Sequence, residues 1–356
     1  MSGFQAKGMS LAELTLALCS VPSVTGDEGP LCRWIEEYLA QNSPNTRTTR
    51  IGNLLIATPP AIIGRPTIGL FGHLDTVKPS LDQPLGVDNG RVFGCGAADM
   101  KGGLAVMIDL LCAHHALQKA NLVAVFYDRE EGPANENGLE VVFEKRALPP
   151  IELGICLEPT DNKLQLGCVG GLHALVNFSG TRAHSARPWQ GSNAIYAAVP
   201  FLQRLKSRER VAVQYDDLIF YEVMSATNAA TSNSRNVIPD RFTLNVNLRF
   251  APGKSVMQAK AELEALVQGE ATIEWIDEAP AGDVCLDHPL VAAWQRQAHL
   301  ERESKQAWTD VARLTAYGIP ALNFGPGETA QAHQARESIA VAHLLQCRDA
   351  LFELLR

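Results

Sequence analysis

His73 and Asp75 are the first residues along the chain whose types and spacing could perform chemistry. They stand two positions apart, directly after the apolar run Thr67–Phe71, which is predicted as a buried strand. Positions i and i+2 of an extended chain point to the same side, so both side chains leave the strand together. A neutral imidazole is a common zinc ligand, and a neighbouring carboxylate fixes its tautomer. Taken alone, such a pair is more often a structural loop contact.

Further carboxylates follow two other predicted strands. Glu130 and Glu131 come after the apolar run Leu122–Tyr127, and Glu158 comes after Leu153–Leu157. The carboxyl ends of parallel strands meet at one edge of a sheet, where open α/β sheets place their sites. Carboxylates gathered there repel one another unless cations lie among them. Each residue alone is typical of a solvated loop, but their recurrence at successive strand ends favours a metal site.

A glycine-rich loop, residues 94–103, supplies another carboxylate, Asp99, just before the apolar helix predicted for Leu104–Leu117. A helix N-terminus stabilises negative charge. Such loops can also bind phosphate, but neither the P-loop spacing nor GxGxxG is present, so phosphate binding is disfavoured. We interpret Cys95 in the same loop as a small packing residue rather than a nucleophile.

The strands that carry these residues alternate with helices, which predicts an α/β fold with a mixed, mostly parallel sheet and helices on both faces. Near residues 170–171 the pattern changes to a β-α-β-β-α-β order, typical of a self-contained, ferredoxin-like α+β unit of about 110 residues. Because the α/β pattern then resumes, we expect a main domain of residues 1–171 and 283–356, interrupted by an inserted domain of residues 172–282. A long terminal helix is predicted for Glu337–Leu355.

Composition limits the classes of partner. The 356 residues exceed one average domain, and 46% of them are hydrophobic, so a large core can form. A net charge of −8 disfavours binding to nucleic acid or to an anionic membrane. No apolar run approaches the ~20 residues that span a bilayer, and the sequence begins without a signal-peptide core. Eight cysteines without CxxC spacing are then expected to be reduced thiols in a cytoplasmic protein.

These motifs, together with the late His333, occur in an order that resembles the di-zinc amidohydrolases and metallopeptidases. That family includes succinyl-diaminopimelate desuccinylases, acetylornithine deacetylases, aminoacylases and glutamate carboxypeptidases. The similarity is greatest to the desuccinylase branch, on four segments: Gly94–Gly96, His184–Pro188, Thr309–Arg313 and Asn323–Gly327. The resemblance covers nearly the whole chain. It implies a zinc-exopeptidase-like catalytic domain with an inserted lid and dimerisation domain.

The resemblance implies two zinc ions, with Co²⁺ as a substitute metal, held by five residues: His73, Asp99, Glu131, Glu158 and His333. Asp99 would bridge the ions, and the peptide bond after it is usually cis in this family. His73 and Glu158 would complete one site, and Glu131 and His333 the other.

Two further residues of this centre have implied roles. Glu130 would be the general base, and Asp75 would orient His73. Two metals about 3.5–4 Å apart can acidify a shared water and polarise an amide carbonyl. An unligated carboxylate then takes up the proton and passes it to the leaving amine. Adjacent glutamates such as Glu130 and Glu131 suit this division of roles.

His184 resembles the family histidine that the inserted domain of a partner subunit supplies to stabilise the oxyanion, so a homodimer is expected. The alternative is a histidine that only caps its loop. Substrate carboxylates call for arginines and amides. The resemblance indicates five substrate-binding residues: Asn236, Arg249, Thr309, Arg313 and Gly327.

These residues predict a zinc-dependent enzyme that hydrolyses the amide bond of an N-acyl amino acid. The resemblance favours N-succinyl-LL-2,6-diaminopimelate, giving succinate and LL-2,6-diaminopimelate on the lysine and cell-wall route. A deacetylase of acetylornithine or acetyl-lysine type is the alternative, since an acetyl group needs one fewer cationic contact. A non-catalytic binding protein on the same scaffold is a third possibility, although every expected catalytic and ligand position is filled.

Overall fold

Most described strands of the computed structural model form one large mixed sheet and one smaller antiparallel sheet, which belong to different units. The remaining strands form a three-stranded and a two-stranded sheet. The structure describes residues 8–356. The first unit consists of the chain up to Leu166 with Val284–Glu303 and Leu314–Arg356, and the second consists of Gly167–Asp283 and Ser304–Arg313. The second unit therefore contains the whole of the expected insertion, residues 172–282. It also takes in residues 167–171, 283 and 304–313, which were expected in the main domain. No helix among the described residues is both long and apolar enough to cross a bilayer.

The strands and helices are numbered in chain order. The strands are β1 (Arg47–Ile51), β2 (Leu54–Thr58), β3 (Thr67–His73), β4 (Gly86–Asp88), β5 (Arg91–Phe93), β6 (Asn121–Tyr127), β7 (Leu153–Cys156), β8 (Leu164–Leu166), β9 (Gly170–Ser179), β10 (Ala183–His184), β11 (Val211–Tyr215), β12 (Leu218–Ala230), β13 (Val237–Ile238), β14 (Arg241–Phe250), β15 (Thr272–Ala279), β16 (Arg302–Ser304), β17 (Ala321–Asn323) and β18 (Ser338–Ala340). The helices are α1 (Leu11–Ser20), α2 (Gly29–Asn42), α3 (Gly102–Cys112), α4 (Leu139–Glu144), α5 (Ala194–Ala197), α6 (Val199–Ser207), α7 (Val256–Val267), α8 (Pro289–Ala298), α9 (Val311–Ala316) and α10 (Val341–Leu355).

The large sheet belongs mainly to the first unit and has the order β1-β2-β6-β3-β7-β17-β8-β16. Its four central strands, β6, β3, β7 and β17, run parallel, while β1, β2 and β8 pair antiparallel outside them. The central strands β3, β6 and β7 are almost fully buried, as expected of parallel strands. Helix α3 packs on β3 and β6, and α1, α2 and α10 pack on α3. The predicted α/β class is confirmed.

Parallel pairing brings the carboxyl ends of β3, β6 and β7 to one edge of this sheet. At that edge the N–H of Leu74 donates to the carbonyl oxygen of Tyr127 at 2.7 Å, and the N–H of Leu157 donates to that of Phe71 at 3.0 Å. The three segments that follow these strands therefore start from adjacent points. Their polar residues can meet without any long-range adjustment of the chain.

The second unit contains an antiparallel sheet in the order β11-β12-β14-β9-β15. Alternate residues of β9, from Leu172 to Phe178, are buried in one core with Phe201 of α6 and Leu263 of α7. This period of two places one face of the sheet against the helices. The predicted β-α-β-β-α-β order is present, and β11 adds a strand at the edge.

The C-terminal helix begins later than predicted. Residues Ser338–Ala340 form β18, which pairs antiparallel with β5, and α10 begins only at Val341. The prediction of a helix starting at Glu337 is therefore wrong over its first residues. A short apolar run has the same periodicity in a strand as in a buried helix, so pairing with β5 decides its conformation.

At Gly325 the chain after β17 passes very close to the residues that follow β7. A Cβ atom added there would lie 2.3 Å from the carbonyl oxygens of Leu157 and Glu158. We expect Gly325→Ala to lower the free energy of unfolding by about 3 kcal/mol, because backbone would have to move. The control is Gly318→Ala, whose Cβ meets no atom within 4 Å and incurs only the strain of a positive φ, about 1 kcal/mol. Urea denaturation measures both losses, and equal losses would contradict the close approach.

Candidate metal centre

His73 contacts Asp99 at the carboxyl end of β3. Its Nε2 lies 3.1 Å from Asp99 Oδ1, and the residue is 1% exposed. Its Nδ1 lies 2.9 Å from the main-chain carbonyl oxygen of Asp75. Because a carbonyl oxygen only accepts, Nδ1 carries the hydrogen. Nε2 is therefore the nitrogen that a cation beside Asp99 would bind.

Asp99 lies between two histidines. Its Oδ1 faces His73, and its Oδ2 lies 3.6 Å from Nε2 of His333. The same Nε2 lies 2.8 Å from Oε1 of Glu131. The peptide bond between Asp99 and Met100 is cis, as the family resemblance implies. One ligand atom each from His73, Asp99 and Glu131 lies within 4.8 Å of the other two, a spacing that a cation can bridge.

The charges in this cluster fit a bound cation. Burial lowers the pKa of His73, but hydrogen bonds to Asp75 and Asp99 outweigh burial and raise that pKa well above its usual value. Burial likewise opposes protonation of His333, whose pKa is nevertheless raised by Glu131. The carboxylates thus draw positive charge onto both rings. A divalent cation held by the same nitrogen and oxygen atoms would supply that charge, and this donor set suits zinc and similar transition metals.

The Asp75 carboxylate holds the turn that follows β6. It accepts hydrogen bonds from the N–H groups of Glu130 at 3.0 Å and Glu131 at 2.9 Å, and from the hydroxyl of Thr25 at 3.0 Å. Burial alone would raise the pKa of Asp75, but His73 and the two N–H donors lower it. The carboxylate lies 3.6 Å from His73 Nδ1. Asp75 therefore contacts the His73 ring and also fixes the backbone from which Glu130 and Glu131 project.

Glu158 and Gly327 are the remaining predicted residues of the first unit. Glu158 follows β7, is buried, and contributes to the raised pKa of His73. It is not one of the three residues whose ligand atoms lie within 4.8 Å of one another, so its role as a ligand stays a prediction. Gly327 packs on the Asp99 loop, where a Cβ atom would lie 2.4 Å from the carbonyl oxygen of Ala98.

His184 is the last residue of β10, and Asn236 directly precedes β13, in the second unit. Nδ1 of His184 accepts a hydrogen bond from the N–H of Ala186 at 3.1 Å. This bond leaves the hydrogen of the neutral ring on Nε2, which is then a donor. The carbonyl oxygen of Asn236 accepts the N–H of Ser185 at 2.9 Å, and strands β10 and β13 pair beside it.

Arg249, Thr309 and Arg313 also lie in the second unit. Arg249 stands on β14 opposite Gly171, where a Cβ atom would lie 2.8 Å from the guanidinium, so this glycine leaves room for the arginine. Thr309 and Arg313 are buried, and Nε of Arg313 donates to Asp310 at 2.9 Å. Contact of these residues with substrate stays a prediction.

Sequence reasoning missed three residues that shape the centre: Thr25, Arg91 and Glu337. Glu337 accepts hydrogen bonds from the backbone of the Asp99 loop. Arg91 binds the carboxylate of Glu328 through two nitrogens and donates to Ser338 Oγ at 3.0 Å, which secures the segment that carries His333. Each pairing joins positions 50 or more residues apart. No spacing rule along the chain could indicate them.

Comparison with known sequences identifies relatives over almost the whole chain. Residues 69–356 match Peptidase family M20/M25/M40. A Mycobacterium tuberculosis protein described as a putative succinyl-diaminopimelate desuccinylase DapE is 36% identical, over 95% of this chain and 96% of its own length. The succinyl-diaminopimelate desuccinylase of Corynebacterium glutamicum is 33% identical, over 93% of this chain and 92% of its own.

Solved structures share the fold. Aminopeptidase PepT from Bacillus cereus matches with a TM-score of 0.80 at 18% identity, over 97% of both chains. The Bacillus subtilis YXEP protein, described as a dinuclear metal binding peptidase, matches with a TM-score of 0.71 at 17% identity, over 97% of this chain and 96% of that one. Together with the family match, the α/β fold and its His, Asp and Glu cluster define a hydrolase of the metallopeptidase class. The chain belongs to Peptidase family M20/M25/M40, which confirms the resemblance drawn from the motifs.

We expect Asp75→Asn to weaken cation binding without abolishing it. Each of the N–H groups of Glu130 and Glu131 binds a different carboxylate oxygen, and an amide keeps only one of the two, so the turn that carries Glu131 loses one of its two anchors. Changes to groups that support metal ligands lower metal affinity about 10–100-fold. Calorimetric titration of the metal-free protein with Zn²⁺ measures the change.

Asp109→Asn is the matched control for that titration. Its carboxylate also lies in the first unit, 3.5 Å from Arg348, but outside the cluster. This variant should bind Zn²⁺ with wild-type affinity. Wild-type affinity in Asp75→Asn would contradict the role of Asp75 in holding the Glu130–Glu131 turn.

Proposed function

We propose that this chain is a di-zinc amidohydrolase that cleaves N-succinyl-LL-2,6-diaminopimelate to succinate and LL-2,6-diaminopimelate, on the lysine and diaminopimelate route. The observation that carries the proposal is Asp99, whose two carboxylate oxygens face His73 and His333 separately. A bridging role for one carboxylate fits this arrangement. The relatives named as desuccinylases, at 36% and 33% identity over most of the chain, support the choice of substrate.

The proposed ligands divide into two sets. His73 and Glu158 would hold one zinc ion, Glu131 and His333 the other, and Asp99 both, with Co²⁺ as a substitute. When bound, such a pair of cations supplies Lewis acidity, which acidifies water and polarises an amide carbonyl. The chain's own contribution is to fix the ligand atoms. Hydrogen bonding of His73 Nδ1 to the Asp75 carbonyl selects the tautomer that leaves Nε2 free to bind.

Glu130 is the proposed general base. It shares a turn with Glu131, and the Asp75 carboxylate holds the N–H groups of both residues. Glu131 is directed to His333, and its neighbour Glu130 is the carboxylate that the family resemblance assigns to proton transfer. Glu130 takes a proton from the water as the water oxygen bonds to the acyl carbon, and gives that proton to the amide nitrogen as the C–N bond breaks. The remaining proton of the new carboxylic acid passes to the freed amine, so the products are a carboxylate and an ammonium group.

His184 of the partner subunit is the proposed donor to the oxyanion. Its Nδ1 accepts from Ala186, so a neutral ring presents Nε2–H outward as a donor. A donor of fixed tautomer stabilises negative charge as it develops on the former carbonyl oxygen, without rearranging. A histidine that merely capped its loop would use the same Ala186 contact. The two roles differ in whether Nε2 donates to the oxyanion, and the activity of His184 variants distinguishes them.

Arg249 is the strongest candidate for a succinyl carboxylate. Burial lowers the pKa of its guanidinium, against the opposing effect of the Asp277 charge. A buried guanidinium is less well hydrated than an exposed one. An incoming carboxylate would compensate its charge with paired hydrogen bonds. Asn236, Thr309, Arg313 and Gly327 are the proposed additional contacts to substrate. An acetyl group offers no second carboxylate, so a strong requirement for Arg249 favours the succinyl substrate.

A homodimer through the second unit is part of the proposal. Residues 223–230 of β12 pair with β14 along one side, and no strand among residues 8–356 pairs with their other side. Tyr196 and Val199 expose apolar surface in the same unit. An open strand edge with exposed apolar side chains favours continuation of the sheet into a second copy.

All eight cysteines are free thiols, which supports a reducing, cytoplasmic compartment.

An activity panel tests the substrate and the base together. We expect turnover of N-succinyl-diaminopimelate and little of acetylornithine or acetyl-lysine, because the second carboxylate engages Arg249. Glu130→Gln should lower kcat about 10²–10⁴-fold while retaining zinc, since the amide cannot accept a proton. Zinc content by elemental analysis is the control. Preference for acetyl substrates would reject the succinyl assignment, and wild-type turnover in Glu130→Gln would reject the base.

A purified heterodimer tests whether His184 acts across subunits. We expect His184→Ala and Glu130→Gln homodimers to be nearly inactive, with removal of the oxyanion donor costing about 10²–10³ in kcat. A heterodimer made from one chain of each retains one complete site, in which Glu130 of one chain meets His184 of the other. It should therefore show about half of wild-type activity. A heterodimer as inactive as its parents would place His184 in the site of its own chain. Wild-type activity in the His184→Ala homodimer would place His184 outside catalysis.

A further inference from the structure

Glu337 joins the two segments that carry Asp99 and His333. It stands four residues after His333 and is 2% exposed. Its Oε2 accepts the N–H of Gly96 at 2.8 Å, and its Oε1 accepts the N–H groups of Ala98 at 2.8 Å and Asp99 at 3.0 Å. One buried carboxylate thus binds three backbone donors of a single loop, including the N–H of Asp99 itself.

The Asp99 loop has little freedom to relax around this contact. Gly96 has a φ of +78°, and a Cβ atom there would lie 2.6 Å from Thr76 Cγ2. Successive backbone N–H groups that converge on one anion form a concave site whose geometry the anion defines. Because Oε1 binds both Ala98 and Asp99, the position of this oxygen sets where the Asp99 side chain leaves the loop.

The other end of Glu337 is equally fixed. Its main-chain carbonyl oxygen accepts the N–H of Gly94 at 3.2 Å, and the next residue, Ser338, pairs with Phe93 in the β5–β18 ladder. Arg91 on β5 binds Glu328 and Ser338, on either side of the His333 position in sequence. The Glu337 side chain therefore ties the loop of Asp99 to a segment that is already held near it.

We propose that Glu337 is a positioning residue of the metal centre, which sets Asp99 at the distance from His333 that two cations require. The inference rests on the proposed function, in which two cations are bound at this centre and Glu337 is neither a ligand nor the base. Glu337 faces backbone N–H groups and acts through Asp99. Its loss should weaken cation binding and lower kcat, while KM stays near its wild-type value because substrate contacts lie on other residues.

Two substitutions at this position separate geometry from charge. Glu337→Gln keeps the length but turns one acceptor oxygen into an NH₂ group that faces an N–H donor. Glu337→Asp keeps the charge but is one methylene too short to reach all three donors. The control is Glu222→Gln in the second unit, since Glu222 is also a buried glutamate that accepts a backbone N–H, from Ala251 at 3.0 Å.

The experiment titrates each metal-free protein with Zn²⁺ and measures stoichiometry, affinity and thermal unfolding alongside kcat and KM. We expect about 10–100-fold weaker Zn²⁺ binding in both Glu337→Gln and Glu337→Asp, with a matching fall in kcat, because each loses contacts to the Asp99 loop. Glu222→Gln should lose stability but bind Zn²⁺ as the wild type does. If Glu337→Gln fails to fold, Glu337→Asp decides by the same criteria.

Two outcomes distinguish this inference from the proposed function. If both Glu337 variants bind Zn²⁺ with wild-type affinity and lose no more kcat than Glu222→Gln, Glu337 only stabilises the fold and the inference is overturned. If the wild-type chain itself binds no Zn²⁺ and hydrolyses no acyl amino acid, the proposed function fails instead.

Restored kcat in Glu337→Asp, with binding still weak in Glu337→Gln, would assign the effect to charge alone and overturn the part of the inference that concerns distance.

Discussion

Mutual repulsion among carboxylates at one sheet edge is the constraint on which the rest of this structure depends. Asp75, Asp99 and Glu131 are gathered around His73 in surroundings that exclude most water. Burial raises the pKa of Glu131, and the neighbouring charge of Asp99 raises it further against the opposing effect of His73. Both histidines respond with raised pKa values. The folded chain thus concentrates negative charge that imidazoles only partly compensate, which is the electrostatic condition for holding divalent cations.

The parallel sheet brings these acidic residues together without long connecting segments. Strands β3, β6 and β7 are adjacent and end at one level, so residues 73–75, 130–131 and 158 need no long connection to approach one another. The loop before α3 and the segment before β18 then supply Asp99 and His333 from more distant parts of the chain. Buried strands provide the rigid support that a site with narrow tolerances needs, and the loops provide the functional groups.

The parts that could be predicted from sequence are those with a local signal. Apolar runs that end in polar residues located His73, Asp75, Glu130 and Glu158, and the motif order indicated the family. What could not be predicted depends on pairing between distant positions. The prediction of a helix from Glu337 is wrong because residues 338–340 form a strand by pairing with β5. The short apolar run after Glu337 contains no local signal that distinguishes a strand from a helix. Likewise, nothing near residues 304–313 indicates that they belong with the second unit.

The acidic residues of the centre divide by what they face. Asp75 and Glu337 face backbone: the first binds the N–H groups of Glu130 and Glu131, and the second those of Gly96, Ala98 and Asp99. Asp99 and Glu131 instead face imidazole nitrogens. Two carboxylates thus act as anions that shape loops, and the loops they shape present the carboxylates that can bind cations. Burial raises the pKa of Glu337 to about 7 despite its three N–H donors, whereas at Asp75 His73 and two N–H donors outweigh burial and lower the pKa. The charge of Asp75 is therefore better compensated within the chain than that of Glu337. The sequence shows only the number of acidic residues, whereas this division exists only once the loops are folded.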